Sequence, residues 1–160
     1  MNTRAKDIKV LPTQELTKAV LSLYNAGVST MMYMHGCPCP TLTGSLLVMS
    51  GSFLAACSSQ ASNQIIEVEQ DKAMRRTKDR PLPSGRMTPS EAKLIATATG
   101  ISSLAIFSQI NPIASLTAAT IWGGYIGIYV PLKKRTRFNT HLGAVVGALP
   151  VYLGWVAGNV

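Results

Sequence analysis

Apolar residues in this chain come in long runs, not in the alternation of a half-buried strand, and polar segments separate the runs. The first run, Ala19 to Met34, is diluted by Ser22, Asn25, Gly27, Ser29 and Thr30. The second, Leu42 to Val68, enters a charged stretch as one uninterrupted helix by its pattern. Residues 94–132 carry no charge over roughly 39 positions, about twice what one bilayer crossing needs. Asn111-Pro112 divides that run near its middle and marks a tight turn between two helices. His141 to Val160 is the last run. The predicted fold class is all-α: a multi-pass transmembrane helical bundle with spans at about 19–34, 42–68, 94–110, 112–132 and 141–160. Residues 1–18 read as a polar, basic arm, and residues 69–93 as a charged loop.

Composition agrees with a bilayer setting. The chain is 47% hydrophobic and 14% charged, where soluble domains carry about 25% charged residues. The formal net charge of +8 invites a nucleic-acid reading. No stacking platform or recognition-helix pattern accompanies it, so no nucleic-acid partner is expected. Basic loops at a membrane surface account for the charge instead. If the first two spans form one hairpin and residues 94–132 another, all fifteen Lys and Arg side chains fall on one side. The two opposite turns, around 35–41 and 109–112, then have none, as the positive-inside rule requires. Asp7, Glu15 and the scarcity of serines in the arm argue against a strong transit peptide, and no signal-peptide cleavage pattern stands out.

The chemistry concentrates between Asn63 and Arg86, which hold four of the seven acidic and six of the fifteen basic residues. Asn63, Glu67 and Asp71 are spaced i, i+4 and i+8, so a helix lines three oxygen-bearing side chains along one face. Arg75, Arg76, Lys78 and Arg80 follow at once. Hard oxygen ligands beside cations suit Mg²⁺ carrying a phosphorylated substrate, because Mg²⁺ takes carboxylate and phosphate oxygens and keeps several waters. A site at the mouth of an apolar bundle favours a greasy remainder for that substrate.

The Asn63–Asp71 run, with Arg76-Thr77-Lys78 and Arg80-Pro81-Leu82-Pro83-Ser84-Gly85-Arg86, resembles the first acidic motif of the intramembrane prenyltransferases related to the ubiquinone-forming enzymes. Gln64 and Glu67 stand where most of that superfamily has Asp, and the Asn-Gln-x-x-Glu form resembles its heme-modifying branch, the protoheme IX farnesyltransferases or heme O synthases. A second stretch agrees: Tyr129-Val130-Pro131-Leu132-Lys133, Asn139-Thr140, Gly143 to Pro150, and Gly154-Trp155. The likeness covers about residues 42–160. It implies a bundle of about nine helices, of which five spans are present here. It further implies farnesyl transfer from farnesyl diphosphate to a vinyl group of heme B, giving heme O for heme A and cytochrome c oxidase. Asn63, Glu67 and Asp71 would hold Mg²⁺, and Arg76, Lys78 and Arg80 the diphosphate, with Lys72 and Arg75 as further candidates. The residues that contact heme are left unassigned. The implied location is the mitochondrial inner membrane, with a bacterial plasma membrane as the alternative. Prenylation of an aromatic quinone precursor is the nearest alternative within the superfamily, and Gln64 and Glu67 argue against it.

Departures from the pattern are visible. His141 replaces an expected aromatic residue and Val151 an expected second proline. The family's second acidic motif has no counterpart in the 160 residues. An N-terminal piece of a longer enzyme, or a shortened relative without activity of its own, would have this form. His35, Cys37 and Cys39 have no second ligand pair and read as a Pro-rich turn. Cys57 reads as packing. Glu69 and Asp79 read as loop charges, and Pro81 and Pro83 as fixing an extended loop. Gly123, Gly124, Gly127, Gly143 and Gly147 read as points of close helix packing.

Overall fold

The computed structural model describes residues 11–129, Leu132 and 139–159. The first ten residues of the arm and the cluster Lys133, Lys134, Arg135 and Arg137 lie outside the described residues. Helix α1 spans Pro12–Thr17, α2 Ala19–Gly36, α3 Leu42–Ile66, α4 Val68–Ala73 and α5 Pro89–Ile110. Helix α6 spans Pro112–Gly124, a π-helical segment follows at Tyr125–Tyr129, and α7 spans Asn139–Gly158. No strand occurs among the described residues.

Helices α3, α5 and α6 begin where local chemistry satisfies orphan N–H groups. Thr41 caps α3 through a 3.0 Å bond from the Gly44 N–H. Thr88 and Glu91 form a capping box on α5, with Pro89 in the first turn. The Asn111 side chain accepts from the Ala114 N–H and starts α6 immediately after α5 ends. Turns at 37–41 and at Asn111 fold the chain back on itself. Helix α3 packs on α5 and α2, α7 packs on α2 and α6, and α5 on α6.

Very small residues let these helices approach. A side chain at Gly154 on α7 would lie 2.1 Å from the Ser29 carbonyl oxygen on α2. A Cβ at Gly51 on α3 would lie 3.0 Å from the Phe107 ring of α5. The predicted packing glycines Gly123, Gly124, Gly127 and Gly147 instead have open space around them. The clustering of Gly123, Gly124 and Gly127 reflects the end of α6, where weak helix formers accompany a change to π geometry. The surroundings of Gly143 are not among those described.

The outer surface is strongly apolar, and serines share the interior with Leu16, Val48 and Phe107. Val20, Tyr24, Met31, Leu42, Leu94, Ile101 and Leu116 are exposed, whereas Ser22, Ser29, Ser52, Ser58 and Ser103 are buried. Hydrocarbon outside and hydroxyls inside is the arrangement a bilayer favours, since interior hydroxyls hold neighbouring helices. Ser29 donates to the Pro150 carbonyl, Ser58 to Ala96 and Ser103 to Gly51, at 2.6–2.8 Å. Leu42–Ile66 and Pro89–Ile110 are each long and apolar enough to cross a membrane.

Three sequence expectations need correction. The arm is not polar to residue 18, because α1 buries Leu16 fully against Ala61, Leu82, Met87, Ala92 and Ala96. Six residues are too few to display a helical period. The loop over 69–93 contains most of α4 and gives its last residues to α5. Within it, Pro81 and Leu82 are buried in successive turns, not in an extended segment.

Candidate functional site

Helix α3 does not run unbroken to Val68. It ends at Ile66, and Glu67 (φ −96°, ψ 7°) joins it to α4. Hydrogen bonds nevertheless continue across the joint, from Glu67 N to Asn63 O at 3.0 Å and from Asp71 N to Glu67 O at 2.9 Å. The i, i+4, i+8 face is thereby preserved through the joint. All three side chains are buried: Asn63 is 6%, Glu67 8% and Asp71 3% exposed. The Asn63 amide donates to Glu67 Oε2 at 3.0 Å, which leaves Asn63 Oδ1 buried without a partner.

The cations are arranged unequally. Arg80 donates to Asp71 Oδ2 at 2.7 Å in a largely buried ion pair, so a predicted diphosphate ligand and a predicted metal ligand hold each other. Thr77, also buried, donates to the Asp71 carbonyl and ties the turn to α4. Arg75, Arg76 and Lys78 are exposed on that turn, beside the acidic face. Lys72 pairs with Glu69 at 2.8 Å on the surface. Arg86 donates to Glu15 of α1 at 2.6 Å and to the Asp79 carbonyl. The Glu15 hydrogen bond raises the Arg86 guanidinium further above its usual range.

Sequence reasoning missed the part played by α1. Gln64, fully buried, donates to the carbonyls of Glu15 and Leu16 at 3.0 and 2.7 Å. These carbonyls lie near the end of α1, where intrahelical partners run out. Gln64 and the Glu15–Arg86 pair thus bind α1 across the base of the motif. A polar residue beside Asn63 in an apolar helix was the available signal.

The donor set suits the metal that the sequence predicts. Two carboxylates and an amide oxygen are hard ligands, and the unpartnered Asn63 Oδ1 awaits a cation or a proton donor. Among the described residues no three His, Cys, Asp or Glu side chains form a ready metal cage. His35, Cys37 and Cys39 form no such group, and all three cysteines are free thiols.

Below the motif, a cavity of about 250 Å³ opens between α2, α3, α6 and α7. Ser52, Ala56, Ser59 and Gln60 of α3 line it, on a stripe that continues through Asn63 to Glu67. Trp122, Tyr125, Asn25 and Leu153 form facing walls.

The UbiA prenyltransferase family matches residues 23–160. The chain is 37% identical to a protoheme IX farnesyltransferase of Flavobacterium psychrophilum over 91% of its own length and 50% of that protein's. It is also 37% identical to the mitochondrial protoheme IX farnesyltransferase of Arabidopsis thaliana, over 91% of this chain and 34% of that one. The chain therefore spans about half, or less, of the length of these curated relatives. Its fold is similar to that of a digeranylgeranylglyceryl phosphate synthase, with TM-score 0.82 at 22% identity over 92% of this chain and 52% of that one. A UbiA homolog from Archaeoglobus fulgidus bound to GPP and Mg²⁺ is similar with TM-score 0.74 at 21% identity, over 93% and 54% of the two chains.

Proposed function

Because the chain belongs to the UbiA prenyltransferase family, we propose that it supplies the first acidic site of an intramembrane enzyme converting heme B to heme O. The observation that carries this reading is the buried Asn63–Glu67–Asp71 face, flanked by cations and in line along α3 with the residues that line the cavity. The names of the relatives support farnesyl diphosphate and heme B as its substrates.

Asn63, Glu67 and Asp71 would hold Mg²⁺, which when bound neutralises charge on a diphosphate leaving group. Arg76 and Lys78 receive diphosphate oxygens, with Lys72 and Arg75 as outer cations. Arg80 fixes the Asp71 carboxylate, and its five donors allow it to keep that contact while meeting a phosphate oxygen. Loss of diphosphate breaks the allylic C–O bond. The farnesyl C1 then bonds to the terminal vinyl carbon of heme, and water adds to the neighbouring carbon with loss of a proton, giving the hydroxyethylfarnesyl group. The bundle's part is to keep bulk water from the allylic cation until the vinyl carbon has reacted. The cationic loop sits at the face of a mitochondrial inner membrane or a bacterial plasma membrane that carries the basic residues.

The test is heme extraction and mass spectrometry from membranes containing the 160-residue chain and, in parallel, any longer polypeptide from the same reading frame. A hydroxyethylfarnesyl mass gain that depends on farnesyl diphosphate is expected in at least one. Its absence from both, with each protein present in the membrane, would refute the reading. Turnover by the longer form alone would assign the missing chemistry to the additional residues.

A further inference from the structure

Buried Ser22, Ser29, Ser58 and Ser103 each hold a neighbouring helix, but two polar atoms on the cavity wall do not. Ser52 on α3 is 4% exposed, and its Oγ has no hydrogen-bond partner. Trp122 on α6 lines the same cavity, and its indole Nε1–H is likewise buried without a partner. A buried donor left unsatisfied costs about 1–3 kcal/mol, so two on one cavity point to an occupant bearing an acceptor. A farnesyl chain has no acceptor along its hydrocarbon. It could fill this volume but would strand both donors.

We propose that Ser52 Oγ–H and Trp122 Nε1–H receive a carboxylate of the tetrapyrrole acceptor, so that this cavity takes the acid edge of the macrocycle and not the prenyl tail. The assignment rests on the heme reading given above and adds an orientation to it. In heme B the carboxylate and vinyl groups sit on opposite edges. Ser52 lies roughly 16 Å from Asn63 along the helix, at about 1.5 Å per residue. A macrocycle whose acid edge is held at Ser52 therefore points its vinyl edge toward the acidic motif. The whole macrocycle is larger than the 250 Å³ cavity, so its acid edge enters and the remainder extends along the α3 stripe.

The experiment measures binding of heme B and of its dimethyl ester, by absorption titration, to the protein in lipid nanodiscs. Ser52→Ala and Trp122→Phe are each compared with the unaltered chain. Heme B should bind each variant at least about tenfold more weakly, since a hydrogen bond to a charged group is lost. The ester, whose carbonyl is an uncharged and weaker acceptor, should bind the unaltered chain more weakly than heme B and lose distinctly less affinity than heme B on either substitution. Ser52→Ala removes only an unpartnered hydroxyl, so the ligand-free melting temperature should not fall, which separates lost recognition from lost folding. Unchanged heme B affinity in both variants would mean that the donors face water, and the proposal fails. Equal weakening of heme B and the ester also overturns it, as a packing effect. Weakened Mg²⁺–farnesyl diphosphate binding with heme B unaffected would give the cavity to the prenyl tail. No heme binding by the unaltered chain would defeat the heme reading and this proposal together, whereas the other failures leave that reading standing.

Discussion

Asn63, Glu67 and Asp71 were legible as a face because their spacing matches the helical repeat, and the backbone ladder carries that face across the joint at Glu67. The pairing of Asp71 with Arg80 was not legible, because it depends on a turn that brings positions nine apart together at 2.7 Å. Glu67→Gln and Asp71→Asn should each lower farnesyl diphosphate turnover on the order of a hundredfold or more, in whichever form of the protein is active. Membrane insertion should be unchanged in both, because neither substitution alters the apolar spans. Near-normal rates in a radiolabelled prenyl-transfer assay would show that the acidic face is not the metal site. Gln64 makes a different prediction, since it contacts α1 instead of facing the metal donors. Gln64→Ala leaves the Glu15 and Leu16 carbonyls without that donor and should destabilise the fold by roughly 2–4 kcal/mol. Limited proteolysis should then cut first near α1; a wild-type cleavage pattern would show that α1 is held by other contacts.

At the scale of elements, long apolar runs and the Asn111-Pro112 break placed the main helices, because each signal is local. Which glycines bring helices together was hidden, because that depends on the facing residue and not on glycine density. Gly154 and Gly124 show the difference. A methyl group at Gly154 meets the Ser29 carbonyl at 2.1 Å, and backbone cannot yield as a side-chain tip would. Gly154→Ala should cost about 3 kcal/mol and loosen α2 from α7. Gly124→Ala has open space before it and should be neutral or slightly stabilising, because alanine favours the helix. Thermal unfolding of the two variants in detergent, followed by circular dichroism, gives the comparison. Equal melting temperatures would contradict the α2–α7 packing described here. The short helix α1 escaped notice for another reason. Its one buried leucine has meaning only against residues between 61 and 96, far along the chain.

The whole molecule separates charge from apolar surface end to end. The acidic face, the turn bearing Arg75 to Arg80, and Arg86 gather with α1 at one end. Turn 37–41 and Asn111 lie at the other, where Gly36 meets Trp155 and Asn111 donates to the Val156 carbonyl. No Lys or Arg occurs in either of those turns. Moving the cationic end through hydrocarbon would cost several kcal/mol per charge, whereas the uncharged turns cross at little cost during insertion. The proposed diphosphate site should therefore open to the compartment that retains the basic residues. Cysteines placed at Ser84 and at Gln109, after Cys37, Cys39 and Cys57 are changed to serine, report on this directly. Ser84 lies in the exposed part of the cationic loop, and Gln109 is exposed in the last turn of α5. A membrane-impermeant maleimide added to right-side-out vesicles should label one of the two, and in inverted vesicles the other. Labelling of both from the same side would mean that α5 does not cross the bilayer, and the cavity along α3 would then have to be reconsidered as an interfacial groove.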